Sequence, residues 1–114
     1  MARILLLDLE DQIQLRNLLE SLGHRVISGQ RTVLSTVDAV LCNGEDPDFR
    51  LIVSSLRTLR PGLPVAVVTP VSSVGKMLAV LESGASHYCA GPFGPEQFRW
   101  LADRSSTRTR SAAA

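Results

Sequence analysis

Apolar residues along this chain alternate between short unbroken runs and longer stretches with helical spacing. The first run, Ile4-Leu5-Leu6-Leu7 within Arg3 to Asp8, is short enough for a strand and apolar enough to be covered on both faces, which predicts a central strand. From Asp11 to Leu22 the apolar positions Ile13, Leu15, Leu18, Leu19 and Leu22 recur mostly at helical spacing, and Gly23 supplies the stop. Arg25-Val26-Ile27-Ser28 reads as a second strand, after which Gln30 to Val37 is too brief for a crossover helix of ordinary length. Ala39-Val40-Leu41-Cys42 gives a third strand, entered from Asp38 and left through the turn pair Asn43-Gly44.

The acidic loop Glu45-Asp46-Pro47-Asp48 then opens a helix that runs through Leu59, with Pro47 or Asp48 near its first turn and Ile52, Val53, Leu56 and Leu59 on its apolar face. Pro61-Gly62-Leu63-Pro64 breaks it, and Val65 to Thr69 reads as a strand buried on both sides. Ser72 or Ser73 can cap a helix from Val74 to Ser83, which Gly84 ends. Tyr88-Cys89-Ala90 is the fifth strand, and Pro95 to Asp103 a last helix carrying Phe98, Trp100 and Leu101. Five strands alternating with helices imply an α/β fold with a parallel sheet and right-handed crossovers. The expected architecture is a flavodoxin-like three-layer sandwich in strand order 2-1-3-4-5 with a shortened second helix. Reactive groups in such a sheet gather outside the carboxyl ends of the strands, where Asp8, Asn43, Thr69 and Gly91 fall.

Composition narrows the partners. With 114 residues and 45% hydrophobic content, one domain over 1–104 is expected, followed by 105–114 as a flexible tail, whether linker or tag remnant. A net charge of +1 gives no general pull toward nucleic acid, membrane or acidic substrates. No apolar run approaches the roughly 20 residues that span a bilayer, and the N-terminus lacks a charged leader, so a cytoplasmic location is expected. Cys42 and Cys89 sit near the ends of strands that a third would separate, about 9–10 Å apart, beyond the reach of a disulfide. Buried free thiols are expected. His24 and His87 lack companion ligands, which favours structural roles and no metal centre. Glu45, Asp46 and Asp48 read as a solvated, helix-capping loop.

The edge residues carry a more specific signal. Thr69 ends strand four, Gly84-Ala85 follows the next helix, Tyr88 opens strand five and Pro92-Phe93 follows it. In this order and spacing the chain resembles the receiver (CheY-like) domain of two-component response regulators over essentially its whole length, in a degenerate, pseudo-receiver form. In that family two neighbouring acids after strand one and an aspartate after strand three hold magnesium, and that aspartate accepts a phosphoryl group from a donor. The resemblance places Asn43 at the acceptor position, and a neutral amide neither forms an acyl phosphate nor holds the ion well. Asp8 is retained, Leu9 follows it, and Glu10 and Asp11 are the remaining acids of the pocket. The family's lysine before the proline after strand five is Gly91 here. Losing both the acid and the lysine avoids an unpaired charge in a partly desolvated site.

What the resemblance leaves of the signalling apparatus is Thr69 and Tyr88, the hydroxyl and aromatic that relay phosphorylation in the family. A threonine at a strand end also satisfies loop backbone without any signalling role, and a lone tyrosine at an element boundary is equally a packing residue or an interface anchor. The resulting expectation is a non-enzymatic module of signal transduction that binds a protein partner or a second copy of itself. Its face would be built from the helix after strand four, strand five and the last helix, with Met77, Tyr88, Phe98 and Trp100 as interface candidates. No catalytic residue, cofactor or resident metal is expected, and at most weak magnesium binding.

The alternative is a phosphorelay receiver still modified through Asp46 or Asp48, or after deamidation of Asn43, since Asn-Gly is prone to ring closure. Arg104, Arg108 and Arg110 in the tail can touch phosphates without reading bases, so nucleic acid is not an expected partner of this domain alone. Asp8-Leu9-Glu10-Asp11 would repel a flavin phosphate, and no Walker loop, Gly-x-Gly-x-x-Gly or Ser-His-Asp set is present.

Overall fold

A computed structural model describes residues 2–7, 9, 12–28, 36–71 and 73–101. Five strands, β1 (Arg3–Leu7), β2 (Arg25–Ser28), β3 (Ala39–Asn43), β4 (Val65–Thr69) and β5 (His87–Ala90), form one parallel sheet in the order β2-β1-β3-β4-β5. Helices α1 (Ile13–Ser21), α2 (Phe49–Leu59) and α3 (Val74–Glu82) lie between them, and a 3-10 turn at Pro95–Phe98 runs on as helix through residue 101. The expected sheet and strand order are those observed. Residues 29–35 of the shortened second crossover and the 105–114 tail lie outside the described residues.

Period-two alternation within the central strands divides the core in two. Ile4 and Leu6, Leu41, Ala66 and Val68 face α1 and the closing helix, joining Leu15, Leu19, Phe98 and Leu101. Leu5, Val40, Cys42, Val65 and Val67 face the other way, joining Phe49, Val53 and Leu56 of α2 and Val80 of α3. Strands covered on both faces must be apolar at every position, which is why β1, β3 and β4 read as unbroken runs. Fully burying one such side chain stabilises the fold by roughly 1.5–3 kcal/mol.

Cys42 and Cys89 are buried and form no disulfide. They sit on opposite faces of the sheet, a firmer barrier to a disulfide than strand spacing alone. Burial pushes the Cys89 thiol up to about 11, with the neighbouring Trp100 indole acting in the opposite direction.

Several helix positions depart from the sequence reading. Ile13 and Leu59, expected on apolar faces, are 64% and 71% exposed. Ile13 opens α1 ahead of its buried pair Leu15 and Leu19, and Leu59 lies in the last turn of α2, just before Arg60 turns the chain away to donate from Nη1 to the Val37 carbonyl at 2.6 Å. α1 stops at Gly23, whose φ of +89° is the left-handed conformation that favours glycine.

Both histidines make contacts within the fold. His24 is buried and its Nδ1 accepts the Ala2 backbone N–H at 3.1 Å, so the ring must be neutral there. Its pKa is lowered by burial first and then by the positive charge of the amino terminus; that of His87 is lowered by burial. Each histidine therefore contributes stability that is in place above the unfolded value near 6.5 and is lost as pH falls through the lower folded value, because the unfolded chain takes up the proton first. Urea midpoints are expected to drop between pH 7.5 and pH 5.5. In His24→Gln the slope should shrink to the share owed to His87, and an unchanged slope would show that His24 does not carry it.

Candidate functional site

The carboxyl edge of the sheet collects the turn after β3, the end of β4 and the loop after β5. Asn43 closes β3 in register with Val68, and its Oδ1 accepts the Glu45 backbone N–H at 2.9 Å. That bond turns the chain out of the strand, as asparagine does in turns of this kind. Gly44 follows, buried, its N–H donating to the Val68 carbonyl at 2.8 Å. A Cβ at Gly44 would run into the Thr69 methyl and lie 2.8 Å from Val67 Cγ1, so glycine is required by close approach. Asp46 Oδ1 accepts the Asp48 N–H at 2.8 Å, which makes Asp46 part of the entry to α2.

Thr69 and Tyr88 are brought together. Thr69 is fully buried, and its Oγ1 lies 3.2 Å from the Val71 carbonyl and 2.8 Å from the Tyr88 hydroxyl. The carbonyl can only accept, and Thr69 has one hydroxyl hydrogen. Thr69 therefore donates to Val71 and accepts from Tyr88, which holds the ring inward. Thr69 thus satisfies loop backbone and hydrogen-bonds the Tyr88 hydroxyl.

Gly91 donates its N–H to the Thr69 carbonyl at 2.9 Å. A Cβ there would collide with the Pro70 carbonyl oxygen. No side chain, lysine included, fits this position without moving backbone. Beside it lies a cleft of about 300 Å³ between α1 and the loop after β5, lined by Gln12, Gln14, Leu18, Pro70, Gly91, Pro92 and Phe93. Asp8, Glu10 and Asp11, the expected acids of the pocket, lie outside the described residues.

Sequence reasoning missed Lys76. From α3 it donates through Nζ to the Gly44 carbonyl at 2.9 Å, with Nζ 5.2 Å from the centre of the Phe49 ring. A cation over an aromatic face is attracted by the ring quadrupole. One signal was available: Lys76 is the chain's single lysine, set among the apolar residues of its helix.

These described donors do not fit a hard divalent cation. Asn43 offers a neutral oxygen already accepting a backbone N–H, and an ammonium sits on the adjoining carbonyl. Among the described residues no group of three or more His, Cys, Asp or Glu side chains could hold a metal.

The expected interface residues separate into two sets. Met77 is 38% exposed. Phe98 is 1% exposed and belongs to the core between β5 and α1, so its place among interface residues is corrected. Trp100 is half-buried and stacks on His87, ring centres 4.0 Å apart and planes 13° from parallel, while Tyr88 is half-buried and turned toward Thr69.

No protein-family model matches the chain, and no curated protein does. Solved structures do. A response regulator receiver domain protein from Clostridium thermocellum superposes with a TM-score of 0.76 at 18% identity, over 98% of this chain and 99% of that one. A CheY-like receiver domain protein from Methanospirillum hungatei gives 0.67 at 20% identity, over 94% and 98%. NtrX from Brucella abortus gives 0.74 at 19% identity, over 98% of this chain but 28% of that one. The chain has the fold of a response regulator receiver domain.

Proposed function

We propose that this chain is a receiver-like module of signal transduction that works without phosphorylation, is not itself an enzyme and acts by binding protein. The observation that supports the reading is the Asn43 carboxamide at the end of β3, held by the Glu45 N–H, at the position that the resemblance assigns to the acceptor acid. A carboxamide is not the nucleophile that an acyl phosphate needs. Gly91 supports the same reading, since its packing against the Pro70 carbonyl leaves no room for the lysine that would face a charged acceptor.

Rescue by deamidation is disfavoured by the turn itself. Ring closure requires the Gly44 nitrogen to attack the Asn43 side chain, and that buried N–H is engaged by the Val68 carbonyl. Asp46 is engaged by the Asp48 N–H, so modifying it would release the start of α2. The switch elements are then a fixed setting: Thr69 and Tyr88 hold each other, and Lys76 ties the turn after β3 to α3. The binding face is the one that carries α3, where Met77 has exposed apolar neighbours in Val74, Leu78 and Leu81. Among the described residues no helix is long and apolar enough to cross a membrane.

Incubation of the full chain with acetyl phosphate or beryllofluoride plus magnesium should leave its intact mass and its amide spectrum unchanged. A phosphoryl adduct on any aspartate would overturn the reading. For the fixed setting, Tyr88→Phe removes one hydrogen bond to a buried hydroxyl that keeps its second partner, so a loss of about 0.5–1.5 kcal/mol in urea unfolding is expected. Thr69→Val, which takes both bonds, should cost more. Equal stability of Tyr88→Phe and the parent would show that the pair does not hold the ring.

A further inference from the structure

A second cleft, of about 320 Å³, lies between the end of α1 and the closing helix, lined by Leu22, His24, Pro95, Glu96, Phe98 and Arg99. Its volume is at the small end of the range for ligand sites. Leu22 and His24 stand just ahead of β2, where the Arg25 N–H donates to the Ala2 carbonyl at 2.9 Å, so this end of the cleft is at the amino edge of the sheet. Asn43, Thr69 and Gly91 stand at the carboxyl edge, and nothing in the cleft depends on them.

The lining combines apolar surface with three polar groups. Leu22, Pro95 and Phe98 supply the apolar part. His24 is 8% exposed, and its Nδ1 accepts the Ala2 N–H. The neutral ring therefore carries its hydrogen on Nε2, a donor with no partner among the described residues. Glu96 and Arg99 are exposed, and neither side chain has an ion-pair or hydrogen-bond partner among the described residues. Residues three apart on a helix are surface neighbours, with Cβ atoms about 5–6 Å apart. One anion and one cation thus stand side by side at the rim of an apolar cleft that also holds a buried donor.

We propose that this cleft binds a small α-amino acid with an apolar side chain, as its zwitterion. The ligand carboxylate takes Arg99 and the His24 Nε2–H, the ammonium takes Glu96, and the side chain covers Leu22, Pro95 and Phe98. Charge selects this class. A simple anion, and a phosphate ester more so, would meet the Glu96 carboxylate; a simple cation would meet the Arg99 guanidinium. A wholly apolar ligand would shut the His24 donor away from water without a partner. The zwitterion presents opposite charges on adjacent groups, matching the neighbouring pair on the helix.

Titration of the full chain with L-leucine, followed by its amide spectrum, tests the site. Saturable shifts are expected at Leu22, His24, Glu96 and Arg99, with a dissociation constant of about 1 mM or below. Glu96→Gln and Arg99→Gln should each raise that constant about three- to tenfold. Both positions are exposed, so the variants should fold. Leucine stripped of one charge separates the two roles. 4-Methylpentanoate, which lacks the ammonium, should bind the parent more weakly than leucine and gain affinity in Glu96→Gln. Isoamylamine, which lacks the carboxylate, should gain in Arg99→Gln. The absence of saturable shifts at the four residues overturns the site. Leucine binding that ignores both substitutions, or 4-methylpentanoate binding as tightly as leucine, overturns the zwitterion. Each of these outcomes leaves the reading of Asn43 untouched, because phosphorylation is decided by the mass measurement alone.

Discussion

Double-sided burial of the central strands is the constraint on which the rest of this molecule depends. With Leu5, Val40 and Val67 facing one layer and Ile4, Leu41 and Val68 the other, β1, β3 and β4 have little side-chain surface left for chemistry. Polar function is pushed to the places where strands end, and it is there that Gly44 donates to the Val68 carbonyl and Gly91 to the Thr69 carbonyl. The close approach at Gly44 shows how little room that edge leaves, since Thr69 and Val67 press directly on its backbone.

Electrostatics then decides what the edge can be. A carboxylate in a desolvated turn needs cations around it, and a lysine there needs the carboxylate; removing one alone strands the other. Here the end of β3 carries the amide Asn43 and the loop after β5 carries Gly91. The one ammonium that reaches the turn comes from α3 and is satisfied by a carbonyl and an aromatic face. Gly91 fixes the change in the backbone, because the loop after β5 lies against the Pro70 carbonyl where a Cβ would go. A charged side chain at Gly91 would therefore require the backbone to move.

Sheet order, the two layers of helices and the free thiols were legible in the sequence because each follows from periodicity or from a run too apolar to be half-exposed. Leu59 was not, because helical spacing marks a face without marking where the sheet beneath it stops. Phe98 was misread for a related reason: aromatic content marks interfaces and cores alike, and only the turn at Pro95–Phe98 shows that this ring points inward. Lys76 escaped because its role depends on contact across 32 positions with Gly44, which no local pattern encodes. The significance of Asn43 and Gly91 came from position within a resemblance, and the geometry adds what that position cannot, the Glu45 bond and the Pro70 contact.

The same lysine links the quiet edge to the apolar helix. A helix this exposed gains solubility from charge, and α3 has its single cation turned inward, onto the turn after β3. Releasing Lys76 to solvent would restore a charge near the outer face and free the Gly44 carbonyl. Holding it does the opposite at both places. The turn after β3 and α3 thus share one side chain, and where its ammonium rests bears on both.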